Sequence, residues 1–267
     1  MINYKNFHGF SKDPFPQIMD VNNIYKIPGI EEMEARFSFA VESCMVLVIT
    51  GAIGAGKTTF LRYACSKFHP SKYKIISVIA NSGSMLEMLR QIALGFQIET
   101  GTSSITRIFK EVKSAMSDFF SKKITPVLVI DEAHLMREAV FKEIHTLLQL
   151  GMNAEKAMPL ILTGQVILVD KLKYHSASAI ASRVMGKAHM EGLDLERMSE
   201  YLMYHLNVAG VKEMLYEEPA VKAIHQGSGG ILRKANMLAR GALLAAAFKK
   251  SGIVTAEHVR LAATELI

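Results

Sequence analysis

Residues 45–61, MVLVITGAIGAGKTTFL, constrain this chain more than any other stretch. A short apolar run ends in Gly51-Ala52-Ile53-Gly54-Ala55-Gly56-Lys57-Thr58-Thr59 and passes directly into a helical pattern. An apolar strand, a glycine loop and a helix start in that order form a phosphate cradle. Glycines at 51, 54 and 56 permit backbone angles and close approaches that a Cβ would forbid. The loop N–H groups and the start of the following helix then form an anion nest. Residues Gly51 through Thr59 are therefore expected to surround a nucleotide's phosphates. Lys57 would reach the β- and γ-phosphates and the Thr58 hydroxyl would ligate Mg²⁺.

The chain has room for this element inside a large α/β domain followed by a smaller one. It runs to 267 residues, half of them hydrophobic, which excludes a disordered chain. No uninterrupted apolar stretch reaches membrane-spanning length, and MINYKNFHGFSKDPF lacks the charged-then-apolar order of an export signal. A cytoplasmic protein with no membrane insertion is expected. Cys44 and Cys65 are far from any CxxC spacing and carry no assigned role. Nine histidines show no metal-ligand spacing, so no structural zinc is expected. A net charge of +6 permits a polyanionic partner without demanding one.

Residues 1–44 begin with an aromatic and proline segment, Phe7, Phe10 and Asp13-Pro14-Phe15-Pro16, and lead through Asn22-Asn23-Ile24-Tyr25 into a helix over 30–42. Strands are expected at 45–50, 74–80, 126–130 and 159–163, with a weaker fifth at 187–191. Helices fall between them at roughly 58–68, 84–96, 103–121 and 135–151. This alternation predicts a parallel sheet with helices on both faces. After about Asp194 only helical patterns follow, at roughly 195–209, 217–227, 230–249 and 255–266. Gly210 and Gly227-Ser228-Gly229-Gly230 punctuate them, and Thr255 is placed to cap the last. The resulting division is an arm and first helix over 1–44, a nucleotide-binding core over 45–193 and a helical lid over 194–267.

A second diagnostic run is Val127-Leu128-Val129-Ile130-Asp131-Glu132-Ala133-His134, in which an apolar strand delivers two carboxylates at its carboxyl end. That edge is where a doubly wound sheet binds ligands. Asp131 would hold Mg²⁺, directly or through water, and Glu132 would polarise the attacking water. The four letters of residues 131–134 are those of a helicase signature, but the other helicase motifs and a second RecA-like domain are missing, so His134 is read as local packing or a polar turn. The run Pro159-Leu160-Ile161-Leu162-Thr163-Gly164-Gln165 ends in polar groups: Thr163, the first choice, or Gln165 would sense the γ-phosphate, and a plain strand-ending turn is the alternative. Arg183 precedes the weak fifth strand, where it is either a solvated side chain or an arginine supplied to a neighbouring subunit's phosphates. Arg233 lies just inside the third helix of the lid, a position the helix dipole does not favour, and a hinged lid would bring it to the phosphates in cis. Arg107, Lys110 and Lys113 recur on one helix with Lys122-Lys123 at its end, as a phosphate-tracking face or simply a solvated one.

Together these elements resemble the AAA+ ATPases, whose core is an αβα P-loop NTPase sandwich with a five-stranded parallel sheet and a small all-α lid. Within them, the Asp13-Pro14-Phe15 arm, Leu162-Thr163-Gly164-Gln165, Tyr201-Leu202-Met203-Tyr204-His205-Leu206 with Ala209-Gly210, and Gly230-Ile231-Leu232-Arg233-Lys234-Ala235-Asn236 resemble the ExeA-type group. That group includes secretion-pathway ATPases and the TnsC- and TniB-like partners of DDE transposases. The resemblance implies ATP and Mg²⁺ as cofactors, with Lys57 and Thr58 on the nucleotide and Asp131 and Glu132 in hydrolysis. It also implies Thr163 or a neighbour as first sensor, Arg183 as finger and Arg233 as second sensor. His205 stands where the group often shows arginine, which puts a lid contact in doubt, and Leu232 where proline is common. Secretion members continue past the ATPase core into a membrane span, so the expectation leans to the transposition branch. Such relatives form an ATP-dependent ring or filament on double-stranded DNA, largely without sequence preference, and recruit a transposase, in some cases with a target-selection protein. An ATPase that energises a secretion or envelope assembly is the alternative.

Overall fold

The computed structural model describes residues 3–150 and 156–265. At its centre lies a five-stranded sheet made of β1 (Val46–Gly51), β2 (Tyr73–Ile79), β3 (Thr125–Asp131), β6 (Leu160–Gly164) and β7 (Val184–Met190), in the order β2-β3-β6-β1-β7. Every pairing is parallel. β1 and β6 are buried along their whole length and β3 everywhere but Thr125. Such continuous apolar runs are what a strand covered on both faces requires. β7 is the edge strand beside β1, and only Ala188 and Met190 of it are buried. Gly186 breaks its apolar pattern, which is why the sequence suggests a start at 187, whereas pairing with β1 begins at Val184 opposite Val46.

Helices flank the sheet: α2 (Ile30–Glu42), α3 (Lys57–Ser66), α4 (Met85–Gly95), α5 (Ile105–Ser121) and α6 (Glu138–Leu148), after a short α1 (Tyr4–Phe7). α4 starts with a reciprocal capping box between Ser84 and Glu87. The helix expected over 135–151 is shorter. A 3-10 turn occupies Ala133–Leu135, and α6 begins only after Arg137, whose extended backbone breaks continuity. At its other end Gln149–Leu150 turns extended as β4 and pairs antiparallel with β5, Lys156–Ala157. Two further short helices, α7 (Ile167–Lys173) and α8 (Ser178–Ala181), lie between β6 and β7, where none was expected. Residue 151, the expected end of one helix, and residue 266, that of the last, lie outside the described residues.

The chain resolves into two compact units. One comprises Pro28–Gly51 and Phe60–Met190, and holds the sheet; the other takes in the chain up to Ile27, Ala52–Thr59 and the chain from Glu191 onward. In the sheet unit, a continuous core of Val46, Val48, Leu128, Ile130, Leu160 and Leu162 packs with α4, α5 and α6 residues such as Leu89, Val112 and Phe141. Among the described residues no helix is long and apolar enough to cross a membrane.

The other unit is built on α9 (Leu195–Val208), α10 (Glu218–Ser228), α11 (Leu232–Phe248) and α12 (Ala256–Glu265). Gly241 of α11 faces Ala262 of α12 so closely that a Cβ would lie 2.7 Å from the alanine methyl. Thr255 stands just before α12, but the cap is inverted: its backbone N–H donates to His258 Nδ1 at 3.0 Å. The amino-terminal arm lies along these helices. Ser11 donates through N–H and hydroxyl to the Ala209 carbonyl at 2.8 and 2.9 Å, and His8 Nε2 donates to the Leu243 carbonyl at 3.0 Å. Asp13 accepts the Phe15 N–H and pairs with Arg240 at 3.2 Å.

His205 does make a lid contact. Its Nδ1–H donates to the Pro14 carbonyl at 2.8 Å, and its ring packs on Phe15 and Tyr201. Burial pulls its pKa down from 6.5 to about 4, partly offset by that hydrogen bond. As pH falls through this window the unfolded chain takes up the proton first, so this contribution is intact above about 6.5 and is lost toward 4. The loss should reach on the order of 3 kcal/mol. Denaturation melts from pH 7 to 4 should show a steeper decline for the wild type than for His205→Gln, which keeps a donor but does not titrate.

Candidate nucleotide and catalytic site

β1 is apolar up to Ile49 and its chain then leaves the carboxyl edge of the sheet into the glycine loop. Gly54 and Gly56 have φ of +83° and +102°, the left-handed region that glycine enters without a Cβ penalty. The Ala55 N–H closes on the Ala52 carbonyl at 3.2 Å, and Lys57 Nζ donates to the same carbonyl at 2.9 Å. Lys57, Thr58 and Thr59 form the first turn of α3, whose backbone N–H groups are the donors a phosphate takes. Left-handed glycines, a lysine folded over its loop and a helix start form a cradle that fits phosphates.

The carboxyl edge of the sheet carries the second group. β3 ends at Asp131, whose Oδ1 accepts the Glu132 N–H at 2.8 Å and the Thr163 hydroxyl. Thr163, at the end of β6, is fully buried, so as placed here it orients Asp131. Glu132 adopts a left-handed backbone with φ of +54° and turns the chain sharply after the strand. His134 Nδ1 lies 3.3 Å from Glu132 Oε2, and His134 Nε2 lies 2.9 Å from Gln165 Nε2. A cation from α7 holds this turn: Lys171 Nζ donates to the His134 carbonyl and to the Met136 carbonyl, the latter at 2.9 Å.

Residues 41–172 match the AAA domain family. That matched stretch is just under half of the chain. General secretion pathway protein A of Aeromonas hydrophila is 24% identical to it over 265 residues, covering 98% of this chain and 48% of that protein. The chain thus spans about half the length of the curated relative it matches. Among solved structures, Cdc6p from Pyrobaculum aerophilum superposes with a TM-score of 0.71 at 15% identity, over 98% of this chain and 71% of that one. The Aeropyrum pernix ORC1 protein in complex with DNA gives 0.72 at 17% identity, over 96% and 70%. The Thermotoga maritima RuvB Holliday junction branch migration motor gives 0.56 at 18%, over 96% and 74%. At such identities the likeness establishes the fold, and that fold is the AAA+ P-loop sandwich with following helices that the sequence implies.

The matched AAA domain contains the glycine loop, Asp131, Glu132, Thr163 and Gln165, and excludes both arginines. Arg233 is nevertheless beside the loop: its backbone N–H donates to the Gly54 carbonyl at 3.1 Å. A Cβ on Gly54 would stand 2.7 Å from Arg233 Cβ, so the loop needs glycine there for this approach as well as for φ. Ile53, Ile231, Arg233, Lys234 and Met237 line a cavity of about 370 Å³ at the same place.

Arg183 lies elsewhere. It precedes Val184, which pairs with Val46, so it stands at the amino edge of the sheet, a strand length of roughly 17 Å from Gly51. Its Nη2 donates to the Cys44 carbonyl at 3.2 Å, while Nη1 is buried without a hydrogen-bond partner. Burial lowers its pKa from the usual guanidinium value. The structure therefore does not bring Arg183 to the carboxyl edge of its own sheet.

Two cations of the α5 face have partners, while Lys110, Lys122 and Lys123 are exposed. Lys113 Nζ donates to the Thr146 carbonyl at 2.6 Å and also to that of Gln149, and Arg107 pairs with Glu111 at 3.1 Å. Both cysteines are free, and burial raises the Cys65 thiol to about 11, which keeps it protonated and inert. Sequence reasoning overlooked Lys171 and read His134 as local packing or a polar turn, and the residue is buried in the 3-10 turn. The only local signal for His134 was its place two residues after Glu132.

Proposed function

We propose that this chain hydrolyses ATP with Mg²⁺ and completes its catalytic machinery by self-assembly on double-stranded DNA, where it regulates a transposase. The observation that carries the assembly reading is the placement of Arg183 at the amino edge of the sheet, a strand length of roughly 17 Å from Gly51, which suits it to a neighbour's phosphates and not its own. Thr58 and Asp131 are the oxygen donors for Mg²⁺. A metal that keeps phosphate and water ligands needs no more, and among the described residues no cluster of three or more His, Cys, Asp or Glu is present. The bound Mg²⁺–ATP supplies the transferable phosphoryl group and neutralises its charge. Loop N–H groups and Lys57 hold the phosphates, and Glu132 orients the attacking water. Gln165, whose amide stands at the end of β6, contacts the γ-phosphate side, and Arg233 reports nucleotide state to the helical unit.

The DNA reading is supported by the resemblance to transposition ATPases and by the fold shared with an ORC1 protein solved in complex with DNA. The partners are further copies of this chain in a ring or filament, duplex DNA, a transposase and a target-selection protein. The match to General secretion pathway protein A favours a second reading, in which the same ATPase energises an envelope assembly. Electron microscopy of the purified protein with duplex DNA and a non-hydrolysable ATP analogue separates them. Nucleotide-dependent rings or filaments on DNA are expected. Failure to bind DNA with any nucleotide, together with co-purification of membrane proteins, would transfer the assignment to the second reading.

A further inference from the structure

His134 stands where three elements of the sheet unit converge. Its ring has Glu132 Oε2 at 3.3 Å from Nδ1 and the Gln165 side-chain amide at 2.9 Å from Nε2, and the residue is 9% exposed. Two groups face Nδ1, Glu132 Oε2 at 3.3 Å and the Gln165 backbone N–H at 3.5 Å. The nearer is a carboxylate, which only accepts, so Nδ1 is assigned as its donor and Nε2 then accepts from the Gln165 side-chain amide. The ring thus bridges the end of β3 to the end of β6.

Two features make room for this bridge and hold it. A Cβ on Gly164 would meet His134 N, Nδ1 and Cβ at 3.1, 3.2 and 3.3 Å, so the strand end is open to the ring because residue 164 is glycine. Lys171 anchors the His134 and Met136 carbonyls, fixing the turn that carries the ring. A histidine that merely filled space would need neither a hydrogen-bond partner on each nitrogen nor a clamped backbone.

We propose that His134 is a positioning residue that fixes the Glu132 carboxylate through Nδ1–H and makes its placement depend on the Gln165 amide. Glu132, on a left-handed backbone, is set by this ring. When Gln165 turns its amide toward a phosphate oxygen, Nε2 loses its donor, the ring is released, and Glu132 can move. Gln165, His134 and Glu132 then form one relay from the phosphate side to the base. The inference rests on the ATPase reading for its consequence, and on the nucleotide-free protein for its geometry.

The test uses the full chain labelled with ¹⁵N-histidine, with the His134 ring assigned by its disappearance in His134→Gln. In nucleotide-free protein an Nδ1–H tautomer is expected, and both Glu132→Gln and Gln165→Ala should move the ring resonances, while the remote surface change Asp118→Asn should not. An Nε2–H tautomer, or resonances indifferent to both partners, overturns the proposal. In turnover, His134→Ala should lower kcat by about 10-fold or more with the affinity for a fluorescent ATP analogue changed by less than about twofold. His134→Gln should recover part of the loss, and in a Glu132→Gln background His134→Ala should add nothing. Additive losses, or unaltered kcat in His134→Ala, overturn the relay. A wild type without turnover removes the ATPase reading, while the ring resonances still decide the bridge.

Discussion

Glu132→Gln should lower ATP turnover by about 10²- to 10⁴-fold, the range a positioned general base contributes. The amide keeps the size and reach of the side chain but cannot take up a proton or polarise water as a carboxylate does. Nucleotide binding should survive, because the glycine loop and Lys57 are untouched, so the variant should accumulate in its ATP-bound, assembled form. Lys57→Ala acts at the other end of the same ligand. It removes the ammonium that now rests on the Ala52 carbonyl, and nucleotide affinity should fall with assembly falling alongside. Equilibrium binding of a fluorescent ATP analogue, phosphate release and sedimentation on each variant check the pair. Wild-type turnover in Glu132→Gln would remove the base assignment, and undiminished affinity in Lys57→Ala would remove the cradle assignment.

Arg183→Ala should abolish assembly-stimulated turnover, a loss of about 10³- to 10⁵-fold if the guanidinium serves as a finger in trans. Its location predicts more than a loss. Since Arg183 sits a strand length from Gly51 along paired β1 and β7, a subunit lacking it still offers an intact cradle, and one lacking Lys57 still offers an intact finger. Mixing Arg183→Ala with Lys57→Ala subunits should therefore restore activity that neither has alone, up to the fraction of mixed interfaces. Arg183→Lys should recover little, because a point charge does not reproduce the planar fork. A purely structural arginine, holding only the Cys44 carbonyl, would lower stability in the variant and give no complementation on mixing.

The fold was legible wherever the chain is apolar for a physical reason that a window of residues can reveal. β1, β3 and β6 read as strands because both faces are covered, and the loop 51–58 read as a cradle because its glycines, lysine and threonine are contiguous. β7 read weakly because an edge strand is half polar and Gly186 interrupts it, and its full extent comes from pairing with β1. α7 and α8 were missed because they are too short for periodicity to build up. The contacts of His134 were not legible because its partners lie about thirty residues on, at Gly164 and Gln165, and only parallel pairing of β3 with β6 brings them together. Lys113 failed in the opposite sense: its spacing suggested a solvated or phosphate-tracking face, yet its ammonium is taken by the carbonyls at the end of α6.

If Arg183 serves a neighbouring subunit, the two edges of the sheet also set a polarity. A subunit that receives at its carboxyl edge and donates from its amino edge has a front and a back. An open filament of such subunits always leaves one cradle unserved at one end and one donor idle at the other, whereas a closed ring leaves neither. Turnover per subunit would then rise with filament length, and the uncompleted end would hold its nucleotide longest. An assembly of this kind measures its own length.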